Sequence, residues 1–418
     1  MKIKTCFLSI LFATLSQYTY SQANCGAVAT GYTPINDLGT GISPVTGLMG
    51  GLYPSGSNFV PPAHKNAGLL KASQVQCLDA NGNPDAVNGK IVWLSIGMSN
   101  ATQETQQFIP QALAFSGINP NLKLVDGAKF GQVASIISTP SNPGYQPYWD
   151  TVSARLSTSG VTANQVQVVW FKNANIAGST QTQTYHDSLV VQYKRIMNEL
   201  KTRFPNVKIC YMASRISARY ASVTLNPEPY AYWQGWAVKK VIEDQINGDA
   251  QLQHSGTGTN SPWLSWGIYM WSDGSIPQTT NPNVFWDCPA DFNSDGTHPS
   301  IVGRQKVGSL LLNFFTTDST ATPWFLGNGC SLTGIDNNEN KKEIKIFPNP
   351  ASSSFAITVP DEFKNFEFEI MIYNSLGQHV YQEKMSSPSR NIQISTLSFS
   401  SGMYNVVLKI NQVSFRKN

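Results

Sequence analysis

The sequence predicts an α/β protein, with a parallel sheet between two layers of helices, followed by a small all-β sandwich. Two observations support this prediction. Between residues 89 and 330, short continuous apolar runs alternate with segments of helical spacing, which is typical of strands covered by helices on both faces. Residues 343–418 instead contain only short, mostly alternating runs separated by turn residues, and this pattern is typical of an antiparallel β-domain.

The first domain is predicted to alternate strand and helix along the chain. One helix is supported by Leu189, Tyr193 and Ile196, which recur at helical spacing. In such a sheet, functional residues collect in the loops beyond the carboxyl ends of the strands. The predicted strands are 91–96, 122–125, 165–171, 207–213 and 266–271, and the predicted helices are 102–115, 149–156, 185–204, 230–247 and 301–315.

The remaining segments flank these two domains. Residues 1–21 have a basic start, a short apolar stretch and small residues at the end, as a signal peptide has. Residues 22–88 are rich in Gly, Pro, Asn and Ser, and we expect an irregular lead-in that packs on the domain of residues 89–330. Residues 331–342 are polar and charged, which indicates a linker. The β-strands predicted after it are 343–347, 353–359, 366–373, 391–394 and 404–410.

Composition excludes several classes of function. The net charge of +4 comes from 29 basic and 25 acidic side chains without a basic cluster, so nucleic acid is not an expected partner. No apolar run is long enough to span a membrane. No Cys/His group has metal-ligand spacing, and no metal or organic cofactor is implied. We therefore expect an exported protein, secreted or at the cell surface, that is not transmembrane.

Five cysteines remain after removal of the signal peptide, so at least one has no partner within the chain. Cys25 and Cys330 flank the central region and could join its ends. Cys210 lies in an apolar run and is expected to be a buried thiol. The spacing leaves the disulfide connectivity open.

Two short motifs carry the candidate chemistry. The first is Gly97-Met98-Ser99, which follows the first predicted strand, and the second is Asp295-Gly296-Thr297-His298 in a later loop. A serine hydroxyl needs a neighbouring base to take its proton, and that base needs a partner to hold its tautomer. Ser99, His298 and Asp295 are therefore candidates for nucleophile, base and orienting acid. The alternative, purely structural interpretation is that Ser99 is a turn serine at a strand end.

The sequence around the same serine also partly fits a second enzyme class. Gly97 to Ala101 comes near the G-x-S-x-G elbow of α/β-hydrolases. In that fold the nucleophile follows a central strand and the acid and base lie on separate loops. Here Ser99 follows the first strand of the αβ region, and Asp295 shares a loop with His298. Both features argue against this class.

Residues 88–316 resemble the SGNH, or GDSL-like, hydrolases. The resemblance lies in Gly97-Met98-Ser99 and in Asp295-Gly296-Thr297-His298, with Met98 standing where that family usually has Asp. It implies a three-layer, flavodoxin-like parallel sheet and a serine esterase that needs no cofactor. It also implies oxyanion donors at Gly127, after the second strand, and at Asn175, with Asn173 as the alternative.

The C-terminal part, over about residues 337–418, resembles the sorting domain of the type IX secretion system of Bacteroidetes. The matching residues are Phe347-Pro348-Asn349-Pro350-Ala351, the stretch from Ile372 to Gln378, and the stretch from Leu397 to Tyr404. The resemblance implies that the secretion machinery recognises this tail. The alternative interpretation is an accessory β-domain that binds carbohydrate.

These observations together predict a secreted esterase that acts on an ester or an acylated carbohydrate. Trp263, Trp266, Tyr269 and Trp271 precede a loop; such a cluster is more typical of a core, and the alternative is a sugar-binding cleft. Export and this cluster favour O-acyl groups on a polysaccharide as substrate. The alternative function is a non-catalytic, surface-displayed carbohydrate-binding protein on the same scaffold.

Overall fold

The structure is a computed structural model, and it describes residues 22–177, 181–327, 329–330, 345–358, 367–374, 379–386, 391–402, 404–410 and 413–417. The predicted signal peptide and linker lie outside these residues. The described residues form two compact units, one mainly within residues 22–331 and the other mainly beyond residue 332. None of the described helices is long and apolar enough to cross a membrane.

The first unit is built on five parallel strands, four of which are buried along their whole length. Strands β1, β3, β4 and β5 are fully buried, because helices cover both faces of the sheet. The strands are β1 (Ile91–Gly97), β2 (Leu122–Asp126), β3 (Val166–Lys172), β4 (Ile209–Ala213) and β5 (Trp263–Ile268). The helices of the described chain are α1 (Ile35–Leu38), α2 (Pro62–Ser73), α3 (Ser99–Ala114), α4 (Ala134–Ile137), α5 (Tyr145–Thr158), α6 (Thr182–Arg203), α7 (Tyr230–Ile246), α8 (Ile301–Thr317) and α9 (Thr322–Phe325).

The strand order of this sheet is β2-β1-β3-β4-β5, and all pairs are parallel. This is the flavodoxin-like order, in which the chain reverses its direction of growth beside β1. The predicted three-layer α/β fold is therefore confirmed. Loops that follow β1 and β3 meet at this switch point, and Ser99 begins the helix after β1.

The two faces of the sheet carry separate apolar cores. On one face, Val92 and Leu94 of β1 pack with residues of α5, α6 and α7, including Trp149, Tyr193 and Trp236. On the other, Ile91 and Trp93 pack with residues of α3, α8 and α9, and the side chains there include Phe108, Leu311, Phe315 and Phe325. The helix that carries Ser99 and the helix that follows His298 thus lie on the same face, packed against each other.

Several predicted boundaries differ from the structure. Helix α3 begins at Ser99 rather than at residue 102. The prediction missed this turn because buried side chains near the start of the helix are polar, as Asn100 and Glu104 are, and an apolar count does not include them. Strand β5 ends at Ile268, where its pairing with β4 ends, although buried apolar residues continue to Trp271. Helix α8 begins at Ile301, as predicted, and the hydroxyl of its N-cap Ser300 accepts the Gly303 amide at 3.2 Å.

The lead-in is more ordered than its composition predicts. It contains the 12-residue helix α2, whose weak amphipathic pattern includes Gly68. A Cβ atom at Gly68 would lie 2.3 Å from the indole ring of Trp263. The absence of a side chain at Gly68 therefore allows α2 to contact β5 closely. A prediction from apolar periodicity does not detect a contact of this kind.

Two disulfides attach this lead-in to the rest of the unit. Cys25 pairs with Cys288, and Cys77 pairs with Cys330. The suggestion that Cys25 and Cys330 join was therefore wrong: each of them pairs across the fold with a different cysteine. Cys210 is a free buried thiol, as predicted. Burial raises the pKa of that thiol far above its usual range, so it stays protonated.

The second unit consists of antiparallel strands in two sheets, with the orders β10-β7-β6 and β12-β11-β8-β9. Side chains of both sheets share one core, which contains Phe355, Ile357, Ile370, Ile372 and Val406. The small β-sandwich is thus confirmed, while β9 and β12 were not predicted. Its strands are β6 (Lys345–Phe347), β7 (Ser354–Thr358), β8 (Glu367–Asn374), β9 (His379–Ser386), β10 (Asn391–Ser395), β11 (Tyr404–Ile410) and β12 (Val413–Lys417).

Candidate active site

Ser99 is placed by the tight junction between β1 and α3. A Cβ atom at Gly97 would lie 2.0 Å from the carbonyl oxygen of Lys172, so only glycine fits where β1 ends beside β3. Met98 is extended and buried, and Ser99 is the first residue of α3. No residue in the described chain accepts a hydrogen bond from the Ser99 backbone N–H, as expected for the first turn of a helix.

The loop from Asp295 to His298 has a well-defined backbone. Gly296 has φ of +63°, and a Cβ atom there would lie 1.8 Å from the Tyr220 carbonyl oxygen. The Oδ1 atom of Asp295 accepts the backbone N–H groups of Thr297 and His298, each at 2.9 Å. These bonds close a turn that brings the His298 ring over the carboxylate of Asp295.

The structure brings the three candidate catalytic side chains together. Ser99 Oγ lies 2.8 Å from His298 Nε2, and His298 Nδ1 lies 2.5 Å from Asp295 Oδ2. The side chains of His298 and Asp295 are 16% and 26% exposed, so the group lies just below the surface. This is the geometry that nucleophile, base and orienting acid require.

The protonation of Asp295 sets the tautomer of this group. Burial alone raises the pKa of the carboxyl, but the hydrogen bonds from the His298 ring and from two backbone amides outweigh burial and lower it to about 2. Asp295 is thus ionised at neutral pH and can only accept. The hydrogen in the Asp295–His298 contact must sit on Nδ1, and neutral His298 then presents a lone pair on Nε2 to the Ser99 hydroxyl.

The predicted oxyanion donors are engaged in other hydrogen bonds. The N–H of Gly127 donates to the Ser95 carbonyl at 3.1 Å. The amide of Asn175 donates to Gln192 at 2.8 Å and accepts the Ser135 N–H at 2.9 Å. Asn173, the alternative, is fully buried and donates to the Gln132 carbonyl at 3.1 Å. The two asparagine side chains thus join the segment after β3 to the segment after β2 and to α6.

A fully buried ion pair lies beneath the start of α3. The ammonium of Lys172 contacts both carboxylate oxygens of Glu104, at 2.7 and 2.8 Å, and both side chains are 0% exposed. Burial lowers the pKa of Lys172 to about 8 and raises that of Glu104, although each charge favours the other. The pair joins the end of β3 to the helix that carries Ser99.

Arg215 is a residue near the site that sequence reasoning missed. It follows β4 and is 1% exposed, and its Nη2 donates to the Thr297 carbonyl at 3.1 Å. Burial lowers its pKa, while Tyr185 and the acidic Glu104, Glu228 and Asp295 oppose that change. The sequence did carry a signal for Arg215. It is a cationic residue just past a buried strand, at the sheet edge where Ser99 was expected.

The aromatic cluster forms part of the core. Trp263 and Trp271 are 1% and 0% exposed, and Trp266 and Tyr269 are each 4% exposed. Rings buried to this extent cannot stack on a sugar, so the alternative of a sugar-binding cleft was wrong for these four residues. No group of metal-ligating side chains occurs among the residues that the structure describes.

Comparison with known proteins identifies the tail. Residues 345–418 match the family described as "Secretion system C-terminal sorting domain". The chain thus carries a sorting domain of the type IX secretion system, which indicates export followed by secretion or attachment at the cell surface. No curated protein sequence matches the chain.

Two solved structures illustrate distant likenesses to this chain. One is a "putative acylhydrolase" from Bacteroides fragilis NCTC 9343, with 14% identity, a TM-score of 0.32, and 63% of this chain and 100% of that chain covered. Another is a gut microbial diltiazem-metabolizing enzyme, with 10% identity, a TM-score of 0.30 and 74% of each chain covered.

Proposed function

We propose that the chain is an exported serine esterase that uses Ser99, His298 and Asp295. The observation that carries the proposal is the continuous hydrogen-bonded path from Ser99 Oγ through the His298 ring to Asp295, with separations of 2.8 and 2.5 Å. The three side chains come from two segments nearly two hundred residues apart in sequence, the start of α3 and the loop before α8. A structural role for the serine alone gives no reason for an acid and a histidine to converge on it.

The proposed reaction follows from the charge states of this path. Ser99 Oγ attacks the ester carbonyl carbon while its proton moves to His298 Nε2. Asp295 stabilises the imidazolium that forms, and His298 then gives the proton to the leaving alcohol oxygen. Water repeats these steps on the acyl-serine and releases the acid, so the enzyme is restored without any added co-reactant.

The negative oxygen that develops during attack needs donors. The backbone N–H of Ser99 is the donor that the described hydrogen bonds support best, because it has no acceptor in the described chain and lies at the positive end of α3. Gly127 stays in the proposal only if substrate displaces its present partner, the Ser95 carbonyl, whereas Asn175 Nδ2, which donates to Gln192, carries a second hydrogen.

The proposed substrate is an O-acyl group carried by a polysaccharide. Export of the chain supports an extracellular ester, and the sorting domain at residues 345–418 supports export. The burial of the four aromatic residues removes one argument for a sugar. Export is therefore the observation that supports this substrate.

We expect the mature chain to hydrolyse p-nitrophenyl acetate and to release acetate from an acetylated polysaccharide. A series of longer p-nitrophenyl esters measures the acyl preference, and the chemically deacetylated polysaccharide is the matched control. Binding to the acetylated polymer without hydrolysis of any ester would instead support the non-catalytic carbohydrate-binding alternative.

Removal of the tail should separate export from catalysis. We expect a variant that ends after Ser331 to keep the kcat/KM of the full chain, because Ser99, His298 and Asp295 and their described hydrogen-bond partners all precede that point. In cells of the source bacterium, the same variant should stay inside the envelope. Activity in the culture medium equal to that of the full chain would contradict the sorting role, and loss of activity in the purified variant would contradict the independence of the site.

A further inference from the structure

The carbonyl oxygen of Thr297 accepts two buried side-chain donors. Arg215 Nη2 donates to it at 3.1 Å and Asn100 Nδ2 donates to it at 3.3 Å. The two donors come from different elements: Arg215 follows β4, while Asn100 is the residue after Ser99 in α3. One backbone oxygen therefore links the end of a central strand, the helix of the nucleophile and the loop of the base.

These bonds fix the orientation of the residue that precedes His298. The N–H of Thr297 donates to Asp295 and its carbonyl accepts from Arg215 and Asn100, so both of its backbone polar groups are engaged. The same loop is held at its other end, where Ser222 N donates to the Asp295 carbonyl at 3.0 Å. The segment after β4 thus supports the loop at two points.

The chemistry of Arg215 is costly for a purely structural contact. It is 1% exposed and has no ion pair within 4.0 Å among the residues that the structure describes. Its Nε atom is also buried without an acceptor there. Burying a cation that donates to a neutral carbonyl costs more solvation free energy than burying a neutral donor at the same position. Nearby Asp295 and Glu104 offset part of this cost.

We propose that Arg215 and Asn100 are positioning residues that hold His298 at hydrogen-bonding distance from Ser99 through the Thr297 carbonyl. The expected loss of kcat rests on the proposed esterase function, whereas the expected displacement of His298 does not. Without the two donors, the Thr297–His298 peptide is held only through the His298 N–H, which donates to Asp295, so the carbonyl side can shift and the ring leaves the line between Ser99 Oγ and Asp295.

The kinetic test compares Arg215→Met, Arg215→Lys and Asn100→Ala in the mature full-length chain with p-nitrophenyl acetate. We expect Arg215→Met to lower kcat by about 10- to 100-fold, since small displacements of a catalytic group cost rates of this order, and to leave KM near the wild-type value. Arg215→Lys keeps one donor and should recover part of kcat. Because both residues act through one oxygen, the losses from Arg215→Met and Asn100→Ala should not be additive.

Arg219→Met is the matched control. Arg219 lies in the same segment after β4, but its guanidinium donates to the carbonyl groups of Ala27 and Asp273 rather than to the loop of the base. Arg219 is partly buried, and a general structural effect of losing an arginine from this segment would appear in both variants. We expect kcat of Arg219→Met to match the wild type.

A proton NMR measurement tests the placement of His298 without any turnover. The Nδ1–H of His298, which donates to Asp295 at 2.5 Å, should give a low-field resonance that His298→Ala removes. We expect this resonance to broaden or vanish in Arg215→Met and in Asn100→Ala, and to persist in Arg219→Met.

The outcomes separate the two proposals. A wild-type chain without esterase activity refutes the proposed function, whereas the resonance comparison still decides the role of Arg215. Wild-type kcat and an unchanged resonance in folded Arg215→Met overturn the inference. If Arg215→Met lacks the wild-type circular dichroism spectrum, Asn100→Ala decides in its place: wild-type kcat and resonance in that variant overturn the inference.

Discussion

Replacing Ser99 or His298 by alanine should each lower kcat for p-nitrophenyl acetate by about 10⁶-fold, as loss of either member of such a group does elsewhere. Ser99→Ala removes the atom that attacks, and His298→Ala leaves a hydroxyl whose proton has no acceptor at 2.8 Å. Because the two residues act in one step, the double variant should be about as slow as either single one. Melting temperatures should stay close to the wild-type value, since Ser99 is only half-buried.

Asp295→Asn should be milder, with a loss of about 10⁴-fold in kcat. The amide still fills the position of the carboxyl group, but its NH₂ group can donate to His298 Nδ1 and turn the ring to the wrong tautomer. The nucleophile and the base are still present, which explains the smaller loss.

Two control variants accompany this prediction. Ser153→Ala removes a serine whose hydroxyl bonds only its own helix, at the Trp149 carbonyl, so kcat should not change. His186→Ala removes a histidine whose Nδ1 lies 2.8 Å from Asp187 Oδ1 in α6. Unchanged hydrolysis in purified Ser99→Ala or His298→Ala would refute the triad, and equal losses in the two controls would point to damage of the fold instead.

The second large effect concerns stability. Lys172→Met should lower the free energy of unfolding by about 3–5 kcal/mol, the usual cost of removing one partner of a buried ion pair. The remaining carboxylate of Glu104 would be 0% exposed and without its cation, so it must take up a proton or draw water into the core. Urea denaturation followed by circular dichroism measures this loss.

The double variant Lys172→Met/Glu104→Met gives this prediction its control. If the unpaired charge causes the loss, removal of both charges should restore most of the stability, because apolar replacement of such pairs is often neutral or favourable. The pKa of Lys172 is lowered to about 8 because burial outweighs the attraction of Glu104, which agrees with a small net contribution from the pair. A double variant as unstable as Lys172→Met would mean that packing, not charge, sets the cost.

Catalysis provides a separate readout of the same pair. Glu104 lies in α3 five residues after Ser99, and Lys172 is the last residue of β3. The backbone carbonyl of Lys172 lies close to Gly97. We expect the double variant to keep its fold but to turn over more slowly than the wild type, because the start of α3 loses an anchor.

The alternating pattern of the chain was sufficient for the fold class. Continuous apolar runs such as 91–96 and 165–171 predicted buried parallel strands, and both became fully buried strands. The signal is strong because strands covered on both faces need apolar side chains at nearly every position. Pattern alone missed α2, where Gly68 packs on Trp263, because close approach of a helix leaves no periodic trace.

Local sequence also determined the candidate catalytic residues, because Asp295 and His298 interact within one turn and their spacing in sequence predicts that interaction. Only the tertiary structure decided the partners that come from distant segments. Lys172 meets Glu104 across 68 residues, Cys25 meets Cys288 across 263, Gly127 bonds Ser95 of β1, and Asn175 bonds Gln192 of α6. Such pairings depend on which segments the sheet order brings side by side, because hydrogen bonds and disulfides form only at contact distance.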